Sequence, residues 1–254
     1  MNRPALAALF ALSALPGIAQ RQETGFLNRT VTLDGTAYRY QVYLPADFSA
    51  SKKSPVILFL HGAGERGDDG LMQTQVGLGG AIRLHSDRYP AIVVMPQCAK
   101  GKWWTDAEME AQALAALDQS VKEFHGDADR IYLTGLSMGG YGSWSLAAKY
   151  PAKWAAAVVV CGGIRIRRAQ TVEESTADPY AEAAKRIGEK LPVWVFHGGD
   201  DPTVPVTEAR NMVEALKSVG SAVKYTEYEG VKHNSWDKAY AEPDLPVWLF
   251  AQHK

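Results

Sequence analysis

Short apolar runs, separated by longer amphipathic stretches, are the feature that most constrains how this chain can fold. Five such runs indicate buried parallel strands, at residues 55–60, 91–95, 131–134, 156–160 and 193–196. Helical periodicity appears at 107–124, 138–149 and 205–219. Alternation of buried strands and helices predicts an α/β protein whose sheet carries helices on both faces.

The remaining strand signals complete this sheet. Segments 27–33 and 38–44 alternate between apolar and polar residues, and Asp34-Gly35 between them is typical of a hairpin turn. Residues 223–228 also alternate, which indicates an edge strand. We therefore expect a mostly parallel, mixed sheet of eight strands. No repeat or linker interrupts the pattern, so residues 20–254 are predicted to form a single domain.

The first nineteen residues differ in kind from the rest. A short positive start at Asn2-Arg3 precedes an apolar stretch over 5–15, and small residues follow up to Ala19. This pattern is typical of a secretory signal cleaved near Ala19, which predicts a secreted or periplasmic mature chain with no membrane span. The alternative is a membrane anchor, although the apolar stretch is shorter than the ~20 residues that a span needs.

Composition excludes several classes of partner. The formal net charge of −1 argues against nucleic-acid binding through bulk positive charge. Six His and two Cys are too few and too scattered for a Cys-rich metal site, and we expect neither a metal nor a cofactor. Cys98 and Cys161 follow strands that two others should separate, about 14 Å apart. Because a disulfide needs Cα atoms within ~7 Å, two buried free thiols are predicted.

A Gly-x-Ser-x-Gly pattern, Gly135 to Gly139, follows the strand at 131–134 and precedes the helix at 138–149. Two glycines allow a sharp turn that would expose the hydroxyl of Ser137 above the sheet, as in a nucleophile elbow. An ordinary strand-to-helix turn is the alternative.

Three other loops follow strands, where active residues of such sheets lie. The loop at 60–70 is rich in glycine, so it could aim backbone N–H groups inward or be a simple flexible loop. Its Asp68 and Asp69 could suggest a metal site, but a solvated acidic loop is the simpler interpretation. In the loop at 196–205, one of Asp200 and Asp201 could cap a helix while the other orients an imidazole.

The loop at 229–240 holds His233 just after the last strand. A single loop histidine could be a surface residue. However, a serine, an acid and a histidine in this chain order, each at a strand end, match an order that this sheet architecture uses for catalysis.

Several motifs together carry a family resemblance: residues 61–67, 135–140, 161–163, 197–202 with Val204-Pro205, and His233 with Ser235-Trp236. On these motifs the chain resembles α/β-hydrolases of the phospholipase/carboxylesterase and dienelactone-hydrolase-like group. It is most similar to a secreted bacterial branch labelled "predicted peptidase", near feruloyl-esterase-like and polyhydroxybutyrate-depolymerase-like proteins.

The resemblance implies a role for each site residue. Ser137 would be the nucleophile, His233 the general base and Asp201 the orienting acid, while the neighbouring Asp200 departs from the family pattern. Backbone N–H groups of Ala63 and Met138 would form the oxyanion hole.

Three tryptophans, Trp103, Trp104 and Trp236, could border the substrate, although Trp103 and Trp104 could equally cover the core. Arg165, Arg167 and Arg168 could meet an acidic substrate or form a solvated basic turn. Between 161 and 193 the chain holds one helical segment, 178–188, which leaves too little sequence for a large cap domain. We therefore expect an open, shallow cleft.

The sequence thus favours a secreted serine hydrolase acting on a small-molecule or polymer-linked carboxylic ester. A serine peptidase of the prolyl-oligopeptidase-like type is the alternative within the same fold, since fold alone does not separate the two. A non-catalytic binding protein on a hydrolase scaffold predicts a broken triad position, and none is broken.

Overall fold

The computed structural model describes residues 23–165 and 178–254. Eight strands form one sheet in the order β1-β2-β4-β3-β5-β6-β7-β8. The strands are β1 (Gly25–Leu33), β2 (Thr36–Leu44), β3 (Ser54–Leu60), β4 (Ile92–Pro96), β5 (Gly126–Leu136), β6 (Ala156–Val160), β7 (Val193–Gly198) and β8 (Lys224–Tyr228). The helices are α1 (Leu78–Leu84), α2 (Ala107–Glu123), α3 (Met138–Lys149), α4 (Pro179–Ile187), α5 (Thr207–Ser218), α6 (Trp236–Ala241) and α7 (Asp244–Phe250).

The predicted mixed sheet is confirmed. Strand β1 pairs antiparallel with β2, and β2 antiparallel with β4, whereas β3 to β8 run parallel to their neighbours. The hairpin between β1 and β2 turns at Asp34 and Gly35, which both have positive φ, as a two-residue turn requires. Each of the five predicted buried strands lies inside the sheet, and β8 forms the half-buried edge.

Two apolar layers cover the sheet. Helices α2 to α5 pack on one face, and α1, α6 and α7 pack on the other. The sequence did not predict α1 or α7 because both have only seven residues; α1 contains two glycines and α7 contains Pro246. Such short segments show too little periodicity to be recognised, so packing against the sheet determines them.

The predicted helix between β6 and β7 is present as α4, which Asp178 caps by accepting a hydrogen bond from the backbone N–H of Tyr180 (3.0 Å). The signal segment 1–19, together with Arg167 and Arg168, lies outside the described residues. Across the described ranges, no helix combines the length and apolar character needed to cross a membrane.

The sheet order also explains the cysteines. Cys98 follows β4 and Cys161 follows β6, and β3 and β5 lie between these two strands. Both cysteines are buried and free, as predicted. Burial raises the pKa of each thiol to about 12.

Candidate active site

Ser137 stands at a sharp turn between β5, which ends at Leu136, and α3, which begins at Met138. Its φ of 51° lies in the left-handed region that non-glycine residues rarely adopt. Two backbone hydrogen bonds hold this conformation: the N–H of Ser137 donates to the carbonyl of Val160 (2.9 Å), and its carbonyl accepts from the N–H of Tyr141 (3.1 Å). The turn presents a partly exposed hydroxyl at the carboxyl end of the sheet.

The two glycines of the motif allow close backbone packing around this turn. A Cβ at Gly139 would overlap the backbone carbonyl of Leu60, and a Cβ at Gly135 would overlap the backbone of Gly139. The spacing Gly-x-Ser-x-Gly therefore follows from the distance between β5, α3 and the end of β3.

Three side chains from three strand-end loops meet at this point. The Nε2 atom of His233, in the loop between β8 and α6, lies 2.9 Å from the Oγ of Ser137. Its Nδ1 atom lies 2.7 Å from Oδ2 of Asp201, in the loop after β7. Because a carboxylate only accepts hydrogen bonds, Nδ1 carries the proton, and Nε2 is left to accept from the serine hydroxyl.

Both oxygens of the Asp201 carboxylate accept hydrogen bonds. Its Oδ1 accepts backbone N–H groups of Thr203 (2.8 Å) and Val204 (3.0 Å). Burial alone would raise the pKa of Asp201, but hydrogen bonds from His197, His233 and these two N–H groups together hold that pKa well below its usual range. Asp201 therefore stays ionised at neutral pH.

The neighbouring Asp200 is placed differently. Its side chain is exposed, and its backbone N–H donates to the carbonyl of Val231 (3.0 Å). Of the two adjacent acids, Asp201 is the one that contacts His233.

A second imidazole, which sequence reasoning did not assign to the site, also faces Asp201. The fully buried Nε2 of His197 lies 3.3 Å from Oδ2 of Asp201 and 2.9 Å from the carbonyl oxygen of Val204. The spacing of four residues between His197 and Asp201 was the available signal. His197 shares the carboxylate oxygen that contacts His233, so it restrains the orientation of the acid.

The expected oxyanion donors stand at two helix starts beside Ser137. Ala63 begins a short 3₁₀ helix, Ala63–Glu65, and Met138 begins α3. The first N–H groups of a helix have no intrahelical acceptor, and the helix dipole favours negative charge there. A Cβ built at Gly62 would lie 3.8 Å from Cβ of Ser137, so this loop runs alongside the serine.

A buried histidine holds this loop in place. His61 donates from Nδ1 to the carbonyl of Gly62 (2.6 Å) and accepts at Nε2 from the N–H of Cys98 (2.9 Å). Burial lowers the pKa of His61 to about 4. The ring is therefore neutral and structural at physiological pH.

The three tryptophans fall in different environments. Trp104 is 1% exposed and donates from Nε1 to the carbonyl of His61 (2.9 Å), so the hypothesis that it lines the substrate site is wrong; it anchors the loop from the core side. Trp103 is half-buried and packs edge-to-face on Tyr141, with ring centroids 6.0 Å apart. Trp236 packs edge-to-face on His233, at 5.4 Å.

Asp69 and Arg165, two of the charged residues singled out in the loops, have local partners. Oδ1 of Asp69 accepts the backbone N–H groups of Leu71 (2.6 Å) and Met72 (3.0 Å), which makes this acid a turn cap. The guanidinium of Arg165 lies over the ring of Tyr180, with Cζ 5.2 Å from the centroid.

One group within the described ranges has ligand atoms close enough together to suggest a metal site. Atoms of Cys161, Asp201 and His233 lie within 4.8 Å of one another. The raised pKa of the Cys161 thiol keeps it protonated, and the other two side chains already share a proton. The arrangement therefore favours proton transfer over metal binding.

Comparison with known proteins shows the family of this chain. The model of the phospholipase/carboxylesterase family matches residues 106–242, which is more than half of the chain. A solved thermostable esterase superposes with a TM-score of 0.75 at 33% identity, over 90% of this chain and 63% of that one. A ferulic acid esterase superposes with a TM-score of 0.68 over 89% of this chain and 97% of its own, and at 18% identity it shows the shared fold.

A curated relative, an uncharacterized secreted protein of Arthroderma benhamiae, is 29% identical over 205 residues, covering 72% of this chain. The chain spans only 22% of that relative's length.

Proposed function

The chain belongs to the phospholipase/carboxylesterase family of α/β-hydrolases, and from this premise we propose that it cleaves carboxylic esters through a Ser137–His233–Asp201 triad. The observation that carries the proposal is the continuous hydrogen-bonded chain from the serine Oγ through the imidazole to the buried carboxylate, at 2.9 and 2.7 Å.

The geometry supports a two-step reaction. As Ser137 Oγ bonds to the ester carbonyl carbon, its proton passes to Nε2 of His233, and Asp201 stabilises the imidazolium. The carbonyl oxygen becomes an oxyanion facing the N–H groups of Ala63 and Met138, each worth roughly 3 kcal/mol. The imidazolium then protonates the leaving alcohol, and water activated by the same base releases the acid from the acyl-enzyme.

A fluorophosphonate probe together with p-nitrophenyl acetate tests this assignment. We expect the wild-type protein to be labelled and to hydrolyse the ester, and Ser137→Ala to lose both properties while its circular dichroism is unchanged. Ser143→Ala is a matched control, because Ser143 lies in α3 with its hydroxyl donating to the carbonyl of Gly139 (2.8 Å). Normal ester turnover by Ser137→Ala would exclude this nucleophile.

Peptide cleavage is the competing activity of the same triad. Esters are favoured because an alkoxide leaves more readily than an amine. A p-nitrophenyl ester and a p-nitroanilide of one acyl group test for the second activity, because an esterase should turn over the ester alone. Cleavage of the anilide by the wild type, absent in Ser137→Ala, would show peptidase activity.

An open cleft, with no large cap, should favour short acyl chains or ester groups on a bulky polymer. The rate should show no jump at the micelle threshold. An optimum at long chains with such a jump would contradict the open cleft.

Residues 1–19 are proposed to direct export, with 20–254 as a single hydrolase domain. The apolar pattern of that segment supports this, as does the relative named as a secreted protein. Mass spectrometry of the chain recovered from the exporting host should find the mature N-terminus close to residue 20.

A further inference from the structure

Arg66 contacts the side chain of Met138, the residue that follows the candidate nucleophile. It follows the 3₁₀ helix that begins at Ala63, and its Nε donates to Sδ of Met138 at 3.2 Å. Its Cζ lies 5.7 Å from the ring centroid of Trp103, within cation–π distance. The guanidinium therefore stands beside the residue that follows the nucleophile, on the side of the expected oxyanion donors.

A half-buried aromatic pair, Trp103 and Tyr141, adjoins this guanidinium. Trp103 packs against Tyr141, which lies one helical turn after Ser137 and donates its N–H to the carbonyl of Ser137. Arg66, Trp103 and Tyr141 are each partly exposed. We name these three residues the Arg66 rim; they adjoin the turn that holds Ser137 through Met138 and the backbone of Tyr141.

Two acids close to Arg66 in sequence, Glu65 and Asp69, have other partners. The carboxylate of Glu65 turns inward, 4.0 Å from Nδ1 of His61, and Oδ1 of Asp69 accepts two backbone N–H groups. Among residues 23–165 and 178–254, no carboxylate oxygen lies within ion-pair distance of the Arg66 guanidinium.

Several other arginines donate to oxygen atoms, whereas Arg66 donates to a sulfur. Arg210 pairs with Glu227, and Arg29 pairs with Glu123. A thioether is a weak acceptor, and it engages one of the five N–H donors of Arg66. The remaining donors form a fork suited to a carboxylate, held in place by the sulfur and the indole ring.

We infer that Arg66 forms an anion subsite, and that the preferred substrates are esters carrying a carboxylate close to the scissile bond. This inference rests on the proposed ester hydrolysis and specifies its substrate class. The anion can stand on the acyl part or on the alcohol part, and the test has an arm for each.

The test compares charged esters with neutral isosteres. In the acyl pair, monomethyl adipate carries the carboxylate and the methyl ester of adipic acid monoamide is its neutral isostere. In the alcohol pair, 4-acetoxybenzoate is charged and 4-acetoxybenzamide is neutral. The quantity measured is the ratio of kcat/KM, charged over neutral, within each pair. We expect a ratio for the wild type about tenfold above that for Arg66→Gln in at least one pair, since hydrogen bonds to charged groups are worth more than neutral ones.

Two further variants separate charge from structure. Arg66→Lys should keep part of the preference because it retains the charge but loses the fork. Arg83→Gln is a matched control, since Arg83 bonds to Thr74 and packs on Phe26 in the opposite layer, and its ratio should equal that of the wild type. Thermal unfolding verifies that each variant is folded.

The wild type alone provides a second readout. Its ratio should fall as ionic strength rises from 0.02 to about 0.5 M, because salt screens a partly exposed pair. Ratios that neither Arg66→Gln nor salt changes would overturn the subsite while leaving ester hydrolysis intact. If the wild type hydrolyses none of the four esters, the proposed function itself is refuted.

Discussion

Replacing Asp201 with asparagine preserves the size of the side chain but removes one acceptor and the charge. Oδ1 faces two backbone N–H donors, from Thr203 and Val204, whereas Oδ2 faces imidazoles. The asparagine oxygen should therefore take the Oδ1 position, because turning the amide would set its NH₂ against two donors and lose two hydrogen bonds of about 1 kcal/mol each.

The amide NH₂ then points at Nδ1 of His233. A donor at this position selects the imidazole tautomer with its proton on Nε2, which cannot accept the proton of Ser137. Loss of the orienting carboxylate in such a triad lowers turnover by about 10⁴, or about 5 kcal/mol of transition-state stabilisation. We expect this loss for Asp201→Asn.

The assay is kcat on p-nitrophenyl acetate for Asp201→Asn and Asp200→Asn, with thermal unfolding as the measure of folding. Asp200 is exposed, and Asp201 is the acid that contacts His233, so the Asp200 variant should keep kcat within about threefold of the wild type. A folded Asp200→Asn with the larger loss would refute the tautomer argument and move the acid to Asp200.

Three further predictions concern the scaffold. Gly139→Ala should abolish activity and lower the unfolding temperature because its Cβ would overlap a backbone carbonyl of β3, whereas Gly80→Ala in α1, with its nearest contact at 3.6 Å, should be tolerated; equal stability of the two variants would contradict this packing. Alkylation without reductant should modify Cys98 and Cys161 only after unfolding, as read by intact mass; a two-hydrogen mass deficit with no label would overturn the sheet order. Finally, His61 has a pKa lowered from 6.5 to about 4, so the unfolded chain binds its proton at higher pH than the folded one. The free energy of unfolding should therefore fall as pH drops from 6.5 towards 4, by up to about 1.4 kcal/mol per unit, and urea titrations of wild type and His61→Gln that fall equally would exclude His61 as the cause.

The sequence alone determined most of the fold. A strand buried on both faces must be apolar at consecutive positions, so β3, β4, β6 and β7 are visible as short continuous runs. Asp34-Gly35 predicts its turn because both positions need positive φ. The short helices α1 and α7 were not predicted. Their glycines and proline lower the helical propensity of each segment, so packing against the sheet stabilises them.

The candidate site divides in the same way. The order of serine, acid and histidine at strand ends follows from the sequence, because parallel strands bring those ends to one edge of the sheet. The residues alone left Asp200 and Asp201 open, the family resemblance implied Asp201, and the tertiary structure places Asp201 in contact with His233. The loop after β7 exposes Asp200 and points the following Asp201 at His233, and backbone hydrogen bonds from Gly199 and Asp200 to β8 and its loop fix this arrangement.

Tertiary contacts also separated Trp103 from Trp104. The two residues are chemically identical neighbours, yet the second is buried because the carbonyl of His61, 43 positions away in the chain, accepts its indole N–H. The contact of Arg66 with Met138 likewise joins a loop side chain to the start of a helix 72 positions away in the chain. Local sequence encodes the periodicity of each element, whereas the partner of a loop side chain is decided only when distant loops converge at one edge of the sheet.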